Sequence, residues 1–265
     1  MIRFGFIGCG NMGGALAKAV CKAVPASSVA MCNRTRKKAD DLAGELGALA
    51  TDGTRIAQEA HFIMLGVKPQ MMKEALAGIA SELKARKDEF VLVSMAAGLS
   101  QQTIRDMAGV DAPVIRISPN TPVAIGEGIV LVSYSDNVKD SDKKEFLDAL
   151  GCCGLVTEIS ENLHAVGGTL SGCGPAFTDM YIEALADGAV ACGMPRKQAL
   201  EIAAQMVVGS GKLLLDTGRH PGELKDAVCS PGGTTIQGVR TLEEKGFRGA
   251  AMDAVIAAYE KNLKL

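Results

Sequence analysis

The chain has no tryptophan, only 4% aromatic residues and three histidines among its 265 residues. So few rings leave no surface on which nucleic-acid bases would stack. Charge does not supply the lack: 28 Lys plus Arg face 30 Asp plus Glu, the net charge is −2, and neither sign gathers into a patch or a tail. No nucleic-acid partner is expected. Eight cysteines are present, yet none forms a C-x-x-C pair, and with so few histidines no metal site is expected. Most cysteines lie in apolar runs and read as small core residues of a reduced, cytoplasmic protein. No apolar run nears the roughly 20 residues that a membrane-spanning helix needs. The N-terminus enters a strand at once, so no signal peptide is expected. A chain of this length can bury a full core and is expected to form two domains, 1–160 and 161–265.

Glycine is what the sequence has in quantity, and it is placed with purpose. IRFGFIG (Ile2–Gly8) is a short apolar strand that runs into GCGNMGGALAKAV. Gly8, Gly10 and Gly13 fit G-x-G-x-x-G between a strand and a helix, where the first turns the chain, the second admits a pyrophosphate and the third lets helix and strand pack closely. The next strand, Val29–Cys32, ends in NRTRKK, Asn33 to Lys38. A carboxylate for the adenosine ribose is missing there. Arg34 and Arg36 suit a 2′-phosphate, with Asn33 and Thr35 as hydrogen-bonding partners, so NADPH is expected, with NADH weaker. Basic residues at the start of a solvated helix are the plainer reading, but cations there oppose the helix dipole and an anion accounts for them better.

Strand and helix continue to alternate. Strands are expected at Phe62–Val67, Phe90–Gly98, Val114–Ser118, Ile129–Ser133 and Leu155–Glu158. Helices are expected at Met71–Leu83, Ser100–Met107 and near Asp142–Leu150, with PNTP held extended by its two prolines. This pattern gives an α/β Rossmann-type domain with a doubly wound, mostly parallel sheet. Lys68, Ala97, Gly98 and Asn120 fall at strand carboxyl ends, where such sheets bind ligands. Lys68 reads equally well as a solvated loop residue, and Asn120 as a turn cap. After about Glu161 only helical periodicity remains. LSGCGPAF (Leu170–Phe177) should kink or break the first long helix through Pro175. Small-residue helices of this kind suggest an all-α dimerisation domain, hence a homo-oligomer, as readily as a lid.

CSPGGTTIQG (Cys229–Gly238) holds two glycines, two hydroxyls and no charge between two helical segments. Gly232 and Gly233 open the backbone, and the amides of Gly233, Thr234 and Thr235 at the following helix start would receive a carboxylate or phosphate. An ordinary helix corner with a cap is the bland alternative.

Taken together, FIGCGNMGGA, VKP (Val67–Pro69), SMAAG (Ser94–Gly98), NTP (Asn120–Pro122), LSGCGPAF and HPGELKDAVCSPGGTTIQG (His220–Gly238) resemble the pyrroline-5-carboxylate reductases, which complete proline synthesis. Two positions depart from the family pattern: Cys173 stands where Ser is usual, and Ser118 where Met is common. The resemblance implies an NADP domain joined to a helical domain that interlocks with a partner's, with active sites at that interface. It adds Cys9, Asn11, Met12, Val67 and Pro69 to the cofactor residues. It also implies a cyclic imine bearing one carboxylate as substrate, held by Gly232, Gly233, Thr234 and Thr235. Of the two threonines it selects Thr235 as the catalytic donor to the imine nitrogen. His220, Lys225 and Asp226 read as structural neighbours. A β-hydroxyacid dehydrogenase is the nearest enzyme rival, but such enzymes carry a catalytic Lys on the inter-domain helix, and Asn162–Cys192 has none. An NADP-binding redox sensor would leave SPGGTT without a role.

Overall fold

The computed structural model describes residues 1–264. It divides into two compact units, Met1–Gly172 with the chain end from Lys261, and Cys173–Glu260. The first runs β1 (Phe4–Ile7), α1 (Asn11–Ala23), β2 (Val29–Cys32), α2 (Arg36–Leu46), β3 (Leu49–Ala50), α3 (Gly53–Glu59), β4 (Phe62–Leu65), α4 (Pro69–Ala77), α5 (Ala80–Ala85), β5 (Val91–Ser94), α6 (Gln101–Ala108), β6 (Val114–Pro119), β7 (Gly128–Tyr134), α7 (Asp140–Ala149) and β8 (Gly154–Glu158). The strands form one sheet in the order β3-β2-β1-β4-β5-β6-β7-β8. Every pairing is parallel except β6 with β7.

Every residue of β1, β4 and β5 is buried, so these strands are apolar on both faces rather than alternating. One face packs Phe4, Phe6 and Phe62 under α1 and Phe146 of α7; the other packs Ile63, Leu65 and Leu92 under Ile56, Met72 and Ile104. The doubly wound, mostly parallel sheet expected from the alternating pattern is present.

Three local expectations need correcting. Met71–Leu83 is not one helix: Gly78 ends α4, and Ile79 turns inward to 4% exposure before α5 begins. PNTP is extended only as far as Asn120. Thr121–Ile125 is a 3₁₀ turn, since Pro122 falls in its first turn, where the missing N–H costs nothing. Finally, Pro175 does not break its helix, which runs unbroken as α8 (His164–Ala191). The pair β3 and α3 was not foreseen. It is announced only by Asp52, whose carboxylate caps α3 by accepting from the Arg55 amide at 2.8 Å.

The start of α8 lies against β6 and β7 through a buried polar chain. Gln101 Nε2 donates to Ser133 Oγ at 3.0 Å, and Ser133 Oγ meets His164 Nε2 at 2.9 Å. His164 Nδ1 meets Ser118 Oγ, also at 2.9 Å. Full satisfaction assigns the Ser133 hydroxyl hydrogen to Nε2 and the single ring proton to Nδ1, which donates to Ser118. A second ring proton would strand the Ser133 hydrogen in the core. Ser118, the departure from the family pattern, is thus the acceptor for this histidine.

The second unit contains the rest of α8 with α9 (Arg196–Thr217), α10 (Pro221–Ala227), α11 (Thr234–Glu244) and most of α12 (Phe247–Asn262). Its buried apolar residues are only Ala186, Ala199 and Ala203, whereas Met180, Ile202, Val208, Leu215, Met252 and Ile256 are more than half exposed. Three alanines are far too little core to hold five helical segments in water.

Burial, with Arg116 adding to it, pushes the His164 pKa down to about 4. A ring neutral in the fold but free to protonate near 6.5 when unfolded contributes stability that is complete above that value and is lost as pH falls toward 4. The urea midpoint should therefore fall more steeply between pH 6.5 and 4 in the wild type than in His164→Gln. Parallel profiles would contradict the buried neutral ring.

Candidate active site

The parallel strands bring the nucleotide candidates to one edge. Ile7 is in register with both Cys32 and Leu65, and Leu65 with Ser94. Gly8, Asn33, Lys68, Ala97, Gly98 and Asn120 therefore all follow the carboxyl ends of strands. The chain order reverses at β1, between β2 and β4, which makes the turn at Gly8 the switch point of the sheet.

Gly8 has φ +101°, a left-handed conformation, and its amide donates to Cys32 O at 2.9 Å. A Cβ on Gly13 would be driven into the Gly8 carbonyl, while one on Gly10 would meet only open space. Helix α1 starts behind Gly10 with no side-chain cap and no acid in its first turn. The amides of Asn11, Met12 and Gly13 are consequently available, and the first turn of the helix itself brings no acid to compete with an anion. This arrangement fits a dinucleotide pyrophosphate.

Not every nucleotide candidate offers its side chain. The Cys9 amide donates to Asn33 Oδ1 at 3.2 Å, and its thiol is buried and pushed up to about 12, first by that burial and then by Cys32. Asn33 spends its other end on Thr35 O at 3.3 Å, so it ties the glycine turn to β2. Arg36 pairs with Asp40 at 2.8 Å and donates to the carbonyls of Thr51 and Ala50 at 3.1 and 3.3 Å. It therefore holds β3 rather than standing free for a phosphate. Arg34 is exposed and has no ion pair among the described residues, and Thr35 starts α2 without using its hydroxyl as a cap. Lys68 is exposed ahead of Pro69 at the start of α4, Val67 is half-buried, and Ala97 and Gly98 are exposed beyond β5. Asn120 is buried, with both ends of its carboxamide bonded within the chain.

In the second unit SPGG folds as a turn. Gly233 N donates to Ser230 O at 3.0 Å, and Gly232 has φ +69° behind Pro231, the signature of a type II turn. A side chain at Gly233 would collide with the Ser230 hydroxyl, so Ser230 serves the turn. Gly233 has thus spent its amide, and the open donors at the start of α11 are those of Thr234, Thr235 and Ile236, with no side-chain cap. Ile236 was not among the expected donors, although the x-P-G-x string could have revealed it. Both threonines are exposed and neither hydroxyl has a partner among the described residues. His220 Nδ1 accepts from Gly222 N at 3.1 Å and so caps α10, while Lys225 pairs with Asp226. Among the described residues no three metal-ligating side chains cluster.

A doubly wound sheet with an uncapped glycine turn at its switch point, joined to helices, defines a Rossmann-type dinucleotide oxidoreductase. Residues 161–265 match the family model described as pyrroline-5-carboxylate reductase dimerisation, and residues 3–98 match that described as NADP oxidoreductase, coenzyme F420-dependent. A pyrroline-5-carboxylate reductase of Escherichia coli is 42% identical over 99% of this chain and 98% of its own length. One of Methanosarcina acetivorans is 40% identical over 99% and 97%. Among solved structures, the Plasmodium falciparum pyrroline carboxylate reductase with NADP bound has a TM-score of 0.87 at 30% identity, covering 99% of this chain and 97% of that one. The chain belongs to the pyrroline-5-carboxylate reductase family.

With Arg36 engaged, Arg34 is the exposed guanidinium of NRTRKK without an ion pair among the described residues, and a 2′-phosphate role for it is testable. Arg34→Ala should weaken NADPH by about 1.5–3 kcal/mol, the worth of a charged hydrogen bond, and leave NADH nearly untouched. Equal losses for the two dinucleotides in a fluorescence titration would count against this role.

Proposed function

We propose that the chain reduces 1-pyrroline-5-carboxylate to L-proline with NADPH, working as a homodimer. Residues 1–160 form the dinucleotide domain, and residues 161–265 the dimerisation and substrate domain. The observation that carries the reading is the uncharged, uncapped start of α11 behind the SPGG turn. A cyclic imino acid brings one carboxylate that needs amide donors, and Thr234, Thr235 and Ile236 supply them. Its ring needs nothing stronger than a hydroxyl nearby, since an imine is basic enough to be protonated without a strong protein acid.

The amides of Asn11, Met12 and Gly13 would hold the pyrophosphate, and Arg34 with Thr35 the 2′-phosphate. Ala97 and Gly98 lie on the edge where the nicotinamide belongs, with Val67–Pro69 beside them. The nucleotide supplies a hydride when bound. The protein's part is to orient: the α11 amides fix the ring by its carboxylate, and the Thr235 hydroxyl donates a hydrogen bond to the nitrogen as it becomes an amine. Orientation of two bound reactants then accounts for much of the rate. Thr234 and Thr235, consecutive on a helix, point about 100° apart, so one of them faces the nitrogen. The family resemblance favours Thr235. The thinly covered helices of the second unit support assembly with a second copy, and eight free cysteines suit a reducing compartment such as the cytoplasm.

Steady-state oxidation of NADPH in the presence of 1-pyrroline-5-carboxylate tests the whole reading. The wild type should turn over. Thr235→Ala should lower kcat roughly 10–100-fold with a smaller rise in KM, because the backbone amides remain. Thr234→Ala should cost much less. A reversed order of the two variants would misplace the nitrogen donor, and NADPH bound without turnover would be the behaviour of a sensor.

A further inference from the structure

Pro175 has no N–H, so the carbonyl of Ser171, one helical turn earlier, lacks its ordinary α-helical donor. A buried carbonyl left in that state is costly. The structure supplies a replacement from another element: Asn120 Nδ2 donates to Ser171 O at 3.0 Å. Asn120 is itself fixed from the opposite side. Its Oδ1 accepts from the Ile129 amide at 2.8 Å, and its own amide donates to Ile129 O at 3.1 Å. It is only 6% exposed. Two helical turns before Ser171 on the same face of α8, His164 bonds Ser118, two residues before Asn120. Between them Gly168 lies beside Ser118, where an added Cβ would make ordinary contact with its hydroxyl at 3.4 Å. The end of β6 thus grips α8 twice, and the second grip requires the carbonyl that the proline sets free.

We infer that Asn120 is a positioning residue, not a dinucleotide ligand: its carboxamide replaces the helical hydrogen bond that Pro175 removes and fixes that turn of α8 at the carboxyl edge of the sheet. The catalytic consequence rests on the proposed function, since this edge is where the hydride would be delivered. The structural part stands without it. A proline in the helix is then the means by which one carbonyl becomes a fixed point for the strand end, and the two residues form one device although they are far apart in sequence.

The test pairs Asn120→Asp with Pro175→Ala. Aspartate keeps the acceptor for Ile129 N but loses the donor and turns a carboxylate toward the Ser171 carbonyl. Asn120→Asp should lower kcat about tenfold or more and leave the NADPH dissociation constant, read by fluorescence titration, within about twofold of wild type. Adding Pro175→Ala returns an N–H to the Ser171 carbonyl, so the double variant should recover most of the urea midpoint, while kcat stays low because the strand end still lacks its fixed point on α8. Weaker NADPH binding in Asn120→Asp without recovery of the midpoint in the double variant would make Asn120 a ligand and overturn the inference. So would unchanged NADPH binding with no recovery of the midpoint, or a double variant with wild-type kcat. If Asn120→Asp does not fold, a folded double variant supports the device and an unfolded one contradicts it. Were the chain inactive on the imine, NADPH binding and the coupling of urea midpoints would still decide the matter, separately from the function.

Discussion

The structure depends on three glycines that meet at the head of β1. A Cβ on either Gly13 or Gly66 would run into the carbonyl of Gly8, so α1 and the turn after β4 approach that carbonyl more closely than any side chain permits. This contact brings the start of α1 to the carboxyl edge of the sheet. The helix amides left open there by Gly10 then point at the switch point, where β2 and β4 diverge. Fully buried strands, two apolar faces and the ties of Asn33 and Arg36 keep the edge in place. The uncapped helix start, Arg34, Thr35 and Lys68 remain open at this edge. A second uncapped start, that of α11, repeats the logic in the helical unit, with the SPGG turn in place of the G-x-G loop. Both starts leave backbone amides open and neither has an acid in its first turn, a setting that suits an anion.

The helical unit has the opposite economy. Its buried apolar side chains are three alanines, and large residues such as Met180, Leu215 and Ile256 face outward. Helices whose apolar residues are spread around the axis, as in α8 and α12, are suited to burial on several sides. Residues 161–265 match a dimerisation model, and a core of three alanines under outward-facing apolar side chains is the composition that assembly with a second copy accounts for.

Much of this was legible in the chain. The alternation of apolar strands with helices specified the sheet, and the separate tasks of Gly8, Gly10 and Gly13 follow from their spacing between a strand and a helix. Where the reading stopped, the cause was a partner distant in sequence. Arg36 looked free because its acceptors lie on β3, a strand of two residues with no periodicity to announce it. Asn120 reads from sequence as a ligand or a turn cap, and its bond to Ser171 is not visible there because Ser171 lies on another element. Pro175 looked like a break for the same reason: the sequence shows the lost donor, and only the fold shows its replacement. The break at Gly78 is different, since it reflects Ile79 turning into the core against the local helical pattern. The Ser230–Gly233 turn, by contrast, was written in the local string and shifts the open amides one residue along.

In the proposed reaction the hydride of the bound nicotinamide passes to the imine carbon of the ring. NADPH carrying deuterium at the transferred position, incubated with the protein and 1-pyrroline-5-carboxylate, tests this directly by mass spectrometry of the product. The account predicts proline with one deuterium, on the ring carbon that was double-bonded to nitrogen. Proline formed without deuterium, or NADPH consumed with no labelled proline, would contradict it.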